Sequence, residues 1–397
     1  MIKVMHVITT LGPAGAETML CRLVSAMDQS RFENEIVSLT GVLDLAEKME
    51  SIGVRVRSLG MKKGIPNPLL VMRLARWIRE SKPDVIHTWM YHANLVGALA
   101  ARLAGGVPVV WGIHHSVLDP RHDKRRTILV NRACALLSGK FASRIVCCSE
   151  ASLGFHKKLG YDARKLDVIP NGFDLDQVKP EPDARASVIQ ELGIPEDAPL
   201  IGIAARFHPL KDHRNFLWAA ARLHEQIPQA HFLLCGLNVS WKNTQLSEWI
   251  DAAGIRQNCH LLGVRQDMSR LFSAMDIATT ASLSEAFPVV IGEAMACGTP
   301  CVVTDVGDSR LIVGETGLVV SPGDPAGLAD AWRKLLEAGP EVRRHLGMMA
   351  RRRVQQNFAL STVVERYQAV YARVARGNLQ GLPSPSLSMR VKATPEN

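Results

Sequence analysis

The sequence predicts an α/β protein of two domains, each a largely parallel sheet covered by helices on both faces. Three observations lead there. The chain has 397 residues, more than a single domain usually holds. Short β-branched runs alternate with amphipathic segments almost throughout, the pattern of parallel strands joined by helical crossovers. That alternation restarts after a polar, proline-bearing stretch, Pro180-Glu-Pro-Asp-Ala-Arg185, which reads as a linker.

In the first half the strands read as Lys3–Thr9, Glu35–Leu39, Val54–Leu59, Asp84–Thr88, Val107–Ile113, Arg144–Cys148 and Asp167–Ile169. Each is a short run rich in Val and Ile. Between them lie helices with one apolar face. Glu17–Met27 aligns Leu20, Leu23, Val24 and Met27; Leu69–Glu80 aligns Leu70, Leu74, Trp77 and Ile78. In the second half the strands read as Leu200–Ala205, His231–Cys235, His260–Leu262, Asp276–Thr280, Pro300–Thr304 and Leu318–Val320. A clear helix opens at Asp324, a good N-cap, with Pro325 suited to the first turn and Leu328, Trp332, Leu335 and Leu336 in one stripe. The last helical pattern is Ser361–Arg376. The expected organisation is a first domain over 1–175, a second over 176–360, a helix over 361–376 packing back toward the first domain, and a disordered tail over 377–397.

Composition narrows the class. Hydrophobic residues make up 47% and charged residues 21%, which excludes a mainly disordered chain or a small disulfide scaffold. The net charge of +9 suits a phosphorylated ligand, an anionic membrane face or a polyanion. With four Tyr, ten Phe and no aromatic–basic ladder, nucleic acid is the weakest of these partners. The eight cysteines form no CxxC or CxxH pair and mostly sit in apolar runs, so buried reduced thiols in a cytoplasmic protein are expected. Met1–Thr10 reads as a strand rather than a signal peptide. The long apolar stretch Ala93–Ile113 is broken by Arg102, Gly105, Gly106 and Pro108, so it reads as helix, turn and strand.

Three motifs carry chemistry. The first is Ser284-Glu-Ala-Phe-Pro-Val-Val-Ile-Gly-Glu-Ala-Met-Ala-Cys-Gly-Thr-Pro300. A strand ends near Thr280, a loop carries Glu285, and a helix starts near Val289 with Glu293 one turn inside. Free N–H groups at that helix start make a phosphate site, while flanking carboxylates accept hydrogen bonds from vicinal hydroxyls. The second is Ala205-Arg206-Phe-His-Pro-Leu-Lys211, where a guanidinium and an ammonium can clamp a diphosphate. The third is Leu11-Gly12-Pro-Ala-Gly15-Ala-Glu17 after the first strand. It fits neither GxGxxG nor a Walker A loop, which argues against a nicotinamide dehydrogenase and a P-loop ATPase.

Together these residues resemble the retaining GT-B glycosyltransferases of family 4, the group 1 glycosyltransferases, over about Lys3 to Tyr371. Glu285 and Glu293 match that family's Glu-x7-Glu, Arg206 and Lys211 its phosphate pair, and Gly12–Glu17 its first glycine loop, without the usual Gly-Gly. The resemblance implies two facing Rossmann-like domains with the site in the cleft between them. It implies that Glu293 holds the ribose hydroxyls, Glu285 meets the donor sugar, and Arg206 and Lys211 hold the diphosphate. Backbone N–H groups around Phe287, Pro288, Val289 and Val290 would face phosphate, and Gly12 and Gly15 would contact the donor. His114 falls where the family often places a histidine near the transferred sugar, with His115 beside it as the alternative. Asn171-Gly172 matches the family's turn toward the linker.

The implied activity is metal-independent, cofactor-free transfer from a nucleotide-sugar, UDP-sugar first and GDP-sugar next, to a glycan or lipid-linked acceptor. Polysaccharide assembly at a cell envelope is the family's usual setting. Rival readings are a sugar-nucleotide epimerase of the same fold and a non-catalytic nucleotide-sugar-binding protein. Each motif also has an ordinary alternative: a capped helix, a solvated loop, a strand–helix turn. His87 and His92, around Trp89 and Tyr91, fit either an acceptor pocket or a half-buried turn. Asp174-Leu-Asp176 has the form of a metal-binding DxD, but two acids this close are common. Arg121-His-Asp-Lys-Arg-Arg126, with Lys62-Lys63, could meet the inner face of an anionic membrane or be solvated loops.

Overall fold

The computed structural model describes residues 1–12, 15–41, 45–61, 67–116, 118 and 124–377. These form two α/β units, one of the described residues in 1–172 together with 360–377, the other of 173–359.

In the first unit, strands β1 (Ile2–Ile8), β2 (Phe32–Ser38), β3 (Arg55–Ser58), β4 (Val85–Trp89), β5 (Val109–Ile113), β6 (Arg144–Cys147) and β7 (Leu166–Val168) form one parallel sheet. Its order is β3-β2-β1-β4-β5-β6-β7. Along β1 the side chains alternate: Val4 and Ile8 enter one core layer, Met5 and Val7 the other. Helices α1 (Gly15–Ala26) and α2 (Leu45–Ser51) cover the first face. Helices α3 (Pro68–Ser81), α4 (Tyr91–Leu103) and α5 (Arg125–Phe141) cover the second. Helix α6 (Glu150–Lys158) follows β6, its first turn capped by Ser149.

The second unit holds α7 (Ala184–Leu192), β8 (Leu200–Ala204), α8 (His213–His224), β9 (His231–Cys235), α9 (Thr244–Ala252), β10 (Cys259–Leu261), α10 (Met268–Ala274) and β11 (Ile277–Thr280). It continues with α11 (Val289–Ala296), β12 (Cys301–Thr304), α12 (Ser309–Val313), β13 (Gly317–Val320), α13 (Pro325–Glu337) and α14 (Pro340–Asn357). Its six parallel strands run β10-β9-β8-β11-β12-β13. Trp332 on α13 anchors the core, edge-on to Phe216, with its indole N–H donating to Thr279 Oγ1 at 2.9 Å. Asp324 caps α13 by accepting from the Gly327 N–H at 2.8 Å.

The last helix, α15 (Leu360–Ala375), belongs to the first unit, where Val363, Val364, Tyr367 and Tyr371 join the β1–α1 core. The chain passes between units at Gly172–Phe173 and returns at Ala359–Leu360. The Pro180–Arg185 stretch is therefore not the linker: it lies inside the second unit, and Ala184 and Arg185 already belong to α7. Burial explains the earlier boundary. Phe173 is fully buried, stacks on Phe287 at 6.2 Å, and its N–H donates to Phe358 O at 2.9 Å, so it is core and not connector.

All eight cysteines are buried and unbridged, and burial raises the Cys147 and Cys235 thiols to about 12. Among the described residues no helix is long and apolar enough to cross a membrane; the apolar stretch Ala93–Ile113 is most of α4, a turn and β5.

Candidate functional site

In the second sheet, β8 and β11 are neighbours, yet the chain leaves β8 toward β9 on one side and β11 toward β12 on the other. Loops that diverge at such a reversal leave a crevice at the carboxyl ends of the strands. The 205–212 loop follows β8 and the 281–288 loop follows β11. All four charged candidates sit on these two loops and on the helix after the second.

Lys211 ends a short 3-10 turn, Pro209–Lys211, capped by His208 Nδ1 accepting from the Leu210 N–H at 3.2 Å. Asp212, in the left-handed region at φ 45°, turns the chain into α8 and caps it through the Asn215 N–H at 3.1 Å. The two loops are tied by Leu283 N–H donating to Leu210 O at 2.9 Å. Lys211 Nζ forms an ion pair with Glu285 Oε1. Ser282 Oγ donates to that same oxygen at 2.7 Å. Ser282 is itself held by Thr304 Oγ1, which donates to its carbonyl at 2.7 Å from the end of β12. Side-chain exposures of 24% for Lys211 and 12% for Glu285 leave the pair largely shielded but reachable, which strengthens its electrostatics relative to a surface pair.

Two glycines shape this crevice. Gly307 has φ +56°, and a Cβ there would stand 2.4 Å from Glu285 O. Gly236, at the end of β9 with φ +144°, packs on the Ala205–Arg206 peptide, where a Cβ would meet Ala205 O at 2.3 Å. Arg206 is exposed and, among the described residues, takes part in no ion pair. Glu293 is half-buried in the second turn of α11. No side chain caps the start of that helix, where Val289 and Val290 present backbone N–H groups. Pro288 has no N–H to offer, and the Phe287 side chain is buried between Phe173 and Phe358.

The first sheet reverses in the same way between β1 and β4. Gly12 is buried after β1; Gly15 is exposed at the start of α1, with open space where a Cβ would stand. Pro13 and Ala14 lie outside the described residues. His114 follows β5 and stacks on Trp89, ring centroids 5.0 Å apart at 17°. Burial lowers its pKa to about 4, with Asn171 opposing part of that effect. It is therefore a neutral imidazole at pH 7. Trp89 is held in turn: its indole N–H donates to His6 Nδ1 at 3.4 Å, and His6 Nε2 meets Asn34 Oδ1 at 3.1 Å. His115 is anchored through its carbonyl, which accepts from Ser152 Oγ at 2.7 Å.

His87 lies in neither a pocket nor a turn. It is fully buried on β4, with Nδ1 2.6 Å from the Tyr371 hydroxyl of α15. His92 is half-buried in α4. Asp174 is used locally, accepting from the Asp176 N–H at 3.1 Å and from Gln177 Nε2 at 2.6 Å. Among the described residues no group of three His, Cys, Asp or Glu could hold a metal. Of the basic stretches, Lys62, Lys63 and Arg121–Asp123 lie outside the described residues. Ser282, Thr304, Gly236 and Gly307 were not singled out from the sequence, and Trp89 was noted only beside His87 and Tyr91, not as the ring that stacks on His114. Their roles depend on neighbours far along the chain, and only Ser282, three residues before Glu285, carried a local signal.

Comparison with known proteins matches residues 185–353 to the model of the glycosyl transferases group 1, and residues 13–177 to that of glycosyltransferase family 4. The putative glycosyltransferase EpsF of Bacillus subtilis (strain 168) is 30% identical over 317 residues, covering 76% of this chain and 79% of that one. The UDP-Gal:alpha-D-GlcNAc-diphosphoundecaprenol alpha-1,3-galactosyltransferase of Escherichia coli is 25% identical over 321 residues, covering 79% and 81%. Among solved structures, Anabaena Alr3699/HepE in complex with UDP and glucose superposes with a TM-score of 0.82 at 24% identity, over 94% of this chain and 100% of that one. At that identity the likeness speaks for the fold.

Proposed function

Because the chain belongs to the group 1 glycosyltransferases, family 4 enzymes of GT-B fold, we propose that it moves a sugar from a nucleoside diphosphate donor to a hydroxyl of a glycan or lipid-linked acceptor, with retention and without a metal. UDP-sugar is the first choice of donor and GDP-sugar the second. The UDP-sugar and undecaprenol-linked acceptor in the Escherichia coli relative's name support that choice.

The observation that carries this reading is the Lys211–Glu285–Ser282 cluster at the β8/β11 reversal. It places a cation and a carboxylate side by side beside an uncapped helix start. Lys211 and Arg206 would offset charge on the departing diphosphate, the largest electrostatic demand of the step. The Val289 and Val290 N–H groups would add to that field, with Phe287 and Pro288 shaping the loop. Glu293 would accept from the ribose hydroxyls and Glu285 from the sugar. The first unit would contribute Gly12, Gly15 and the neutral imidazole of His114. In the reaction the bond from the anomeric carbon to phosphate oxygen breaks and that from the anomeric carbon to acceptor oxygen forms. The acceptor proton passes to the departing diphosphate on the same face. We place the enzyme in the cytoplasm, where nucleotide-sugars are made.

The test is nucleotide release from UDP- and GDP-sugars, with and without a panel of hydroxyl acceptors and in the presence of EDTA. Acceptor-dependent release, insensitive to EDTA, with a product anomer matching the donor by NMR, is the expected result. An epimerised donor formed without acceptor would overturn the transferase reading, and an inverted product would overturn retention.

A further inference from the structure

Thr280 ends β11 at the strand reversal of the second sheet. Side chains alternate along a strand, so Thr279 and Thr280 enter opposite faces. Thr279 meets α13, where its hydroxyl accepts from the Trp332 indole. Thr280 lines a small cavity of about 10 Å³, shared with Ala204 at the end of β8 and with Val290 and Ile291 in the first turn of α11. The other buried threonines of the second unit find partners within it. Thr299 donates to Phe272 O at 2.6 Å, Thr304 to Ser282 O at 2.7 Å and Thr316 to Val313 O at 2.7 Å. Thr280 is 6% exposed, and among the described residues its Oγ1 has no hydrogen-bond partner. A buried hydroxyl has given up its hydration, a loss that only a partner offsets.

Three features define that partner. A cavity of this size admits one oxygen atom and not a ring. Helix α11 begins without a side-chain cap, and the free N–H groups of such a start favour negative charge. Arg206 and Lys211 lie on the loop that follows β8, whose last residue is in the cavity wall. We propose that Thr280 is a further binding residue of the donor site, its hydroxyl donating to a non-bridging oxygen of the donor's diphosphate beside the start of α11. The inference rests on the diphosphate-donor reading above and adds to it a hydroxyl outside the three sequence motifs. A phosphate oxygen has lone pairs enough to accept from Thr280 and from the helix together. A sugar hydroxyl is the poorer occupant, because a helix start offers donors alone and favours an anion. A single water also fits the cavity, and the experiment separates it from the diphosphate.

The experiment is isothermal titration calorimetry of the full chain with UDP, GDP and inorganic pyrophosphate, alongside melting curves without ligand. Thr280→Val keeps the shape and removes the hydroxyl. It should raise the dissociation constant about tenfold or more, the usual effect of losing a hydrogen bond to a charged group. That loss should appear with each probe that wild type binds, because the three share only the diphosphate. The unliganded variant should melt at or above the wild-type temperature, because it lacks a hydroxyl that the folded chain leaves unpaired. Thr280→Ser, which keeps the hydroxyl, should bind within about threefold of wild type. Thr280→Val binding within about twofold of wild type would overturn the proposal. So would a loss confined to the nucleotides where wild type also binds pyrophosphate. A Thr280→Val melt well below wild type with normal binding would assign the hydroxyl to a buried water instead. Wild type that binds none of the three probes rejects this inference and the donor reading together. Binding that Lys211→Ala abolishes and Thr280→Val preserves rejects this inference alone.

Discussion

Glu285 Oε1 receives an ammonium from one loop and a hydroxyl from its own, so this carboxylate is held in one orientation by two elements at once. If Lys211 offsets diphosphate charge, Lys211→Ala should lower kcat by about 10²–10³-fold, the usual loss for one transition-state donor. Ser282 acts through Glu285 and is a positioning residue. Ser282→Ala should lower kcat about tenfold, and in a double-mutant cycle its effect should nearly vanish on the Glu285→Gln background. Full additivity in that cycle would show that Ser282 acts elsewhere. On the first unit, Trp89 does for His114 what Ser282 does for Glu285: it fixes the ring by stacking, and is itself fixed by His6.

At the scale of elements, the crevice depends on how closely the backbone segments approach. Helix α11 sits against Phe173 through Gly292, where a Cβ would stand 2.1 Å from the ring. Gly292→Ala should therefore cost about 1–3 kcal/mol by overpacking and shift the uncapped helix start. A thermal melt reads the first effect, and a raised KM for the donor reads the second. Gly236→Ala adds a φ that alanine resists to a backbone clash at the β9 end, so its melting temperature should fall further. Asp324→Ala, which removes only the α13 cap, should cost about 1 kcal/mol and leave turnover unchanged.

For the whole molecule, the clearest consequence is acid sensitivity. His6 and His114 are buried with pKa values lowered to about 4, from 6.5. Burial and the charges of those two rings lower His87 well below its usual value. Above pH 6.5 these rings are neutral folded and unfolded, and their contribution to stability is complete. As pH falls from 6.5 toward 4 the unfolded chain takes up protons that the native core refuses, so stability declines. The slope is about 1.4 kcal/mol per pH unit for each ring. Melting temperatures between neutral pH and pH 5 should show this decline, and His6→Gln should flatten it. The same core depends on α15: Tyr371 supplies the hydroxyl beside His87. Tyr371→Phe should cost about 1–3 kcal/mol by leaving a buried ring nitrogen unpaired, read in the melting curve.

The sequence by itself determined the inventory of strands. Alternating β-branched runs and 3.6-residue periodicity placed the strands and the main helices near their observed positions, because burial on one or two faces dictates local pattern. It also placed Glu285 before a helix start and Glu293 inside that helix, since both are set by one short segment. What only the tertiary structure decided is which distant segments meet. Lys211 reaches Glu285 across 74 positions because β8 and β11 are neighbours in the sheet, and strand order leaves no mark on strand pattern. His87 has the look of a turn residue beside Trp89 and Tyr91, yet it is core because α15 returns to cover β4. The crossing at Gly172–Phe173 falls within three residues of the expected 175/176 boundary, at the Asn171-Gly172 turn, but composition drew the linker itself to the polar stretch at 180–185, because a buried phenylalanine carries no compositional signal. Local chemistry selects each element, but the free energy of burying two faces of a sheet, summed over the chain, selects their neighbours.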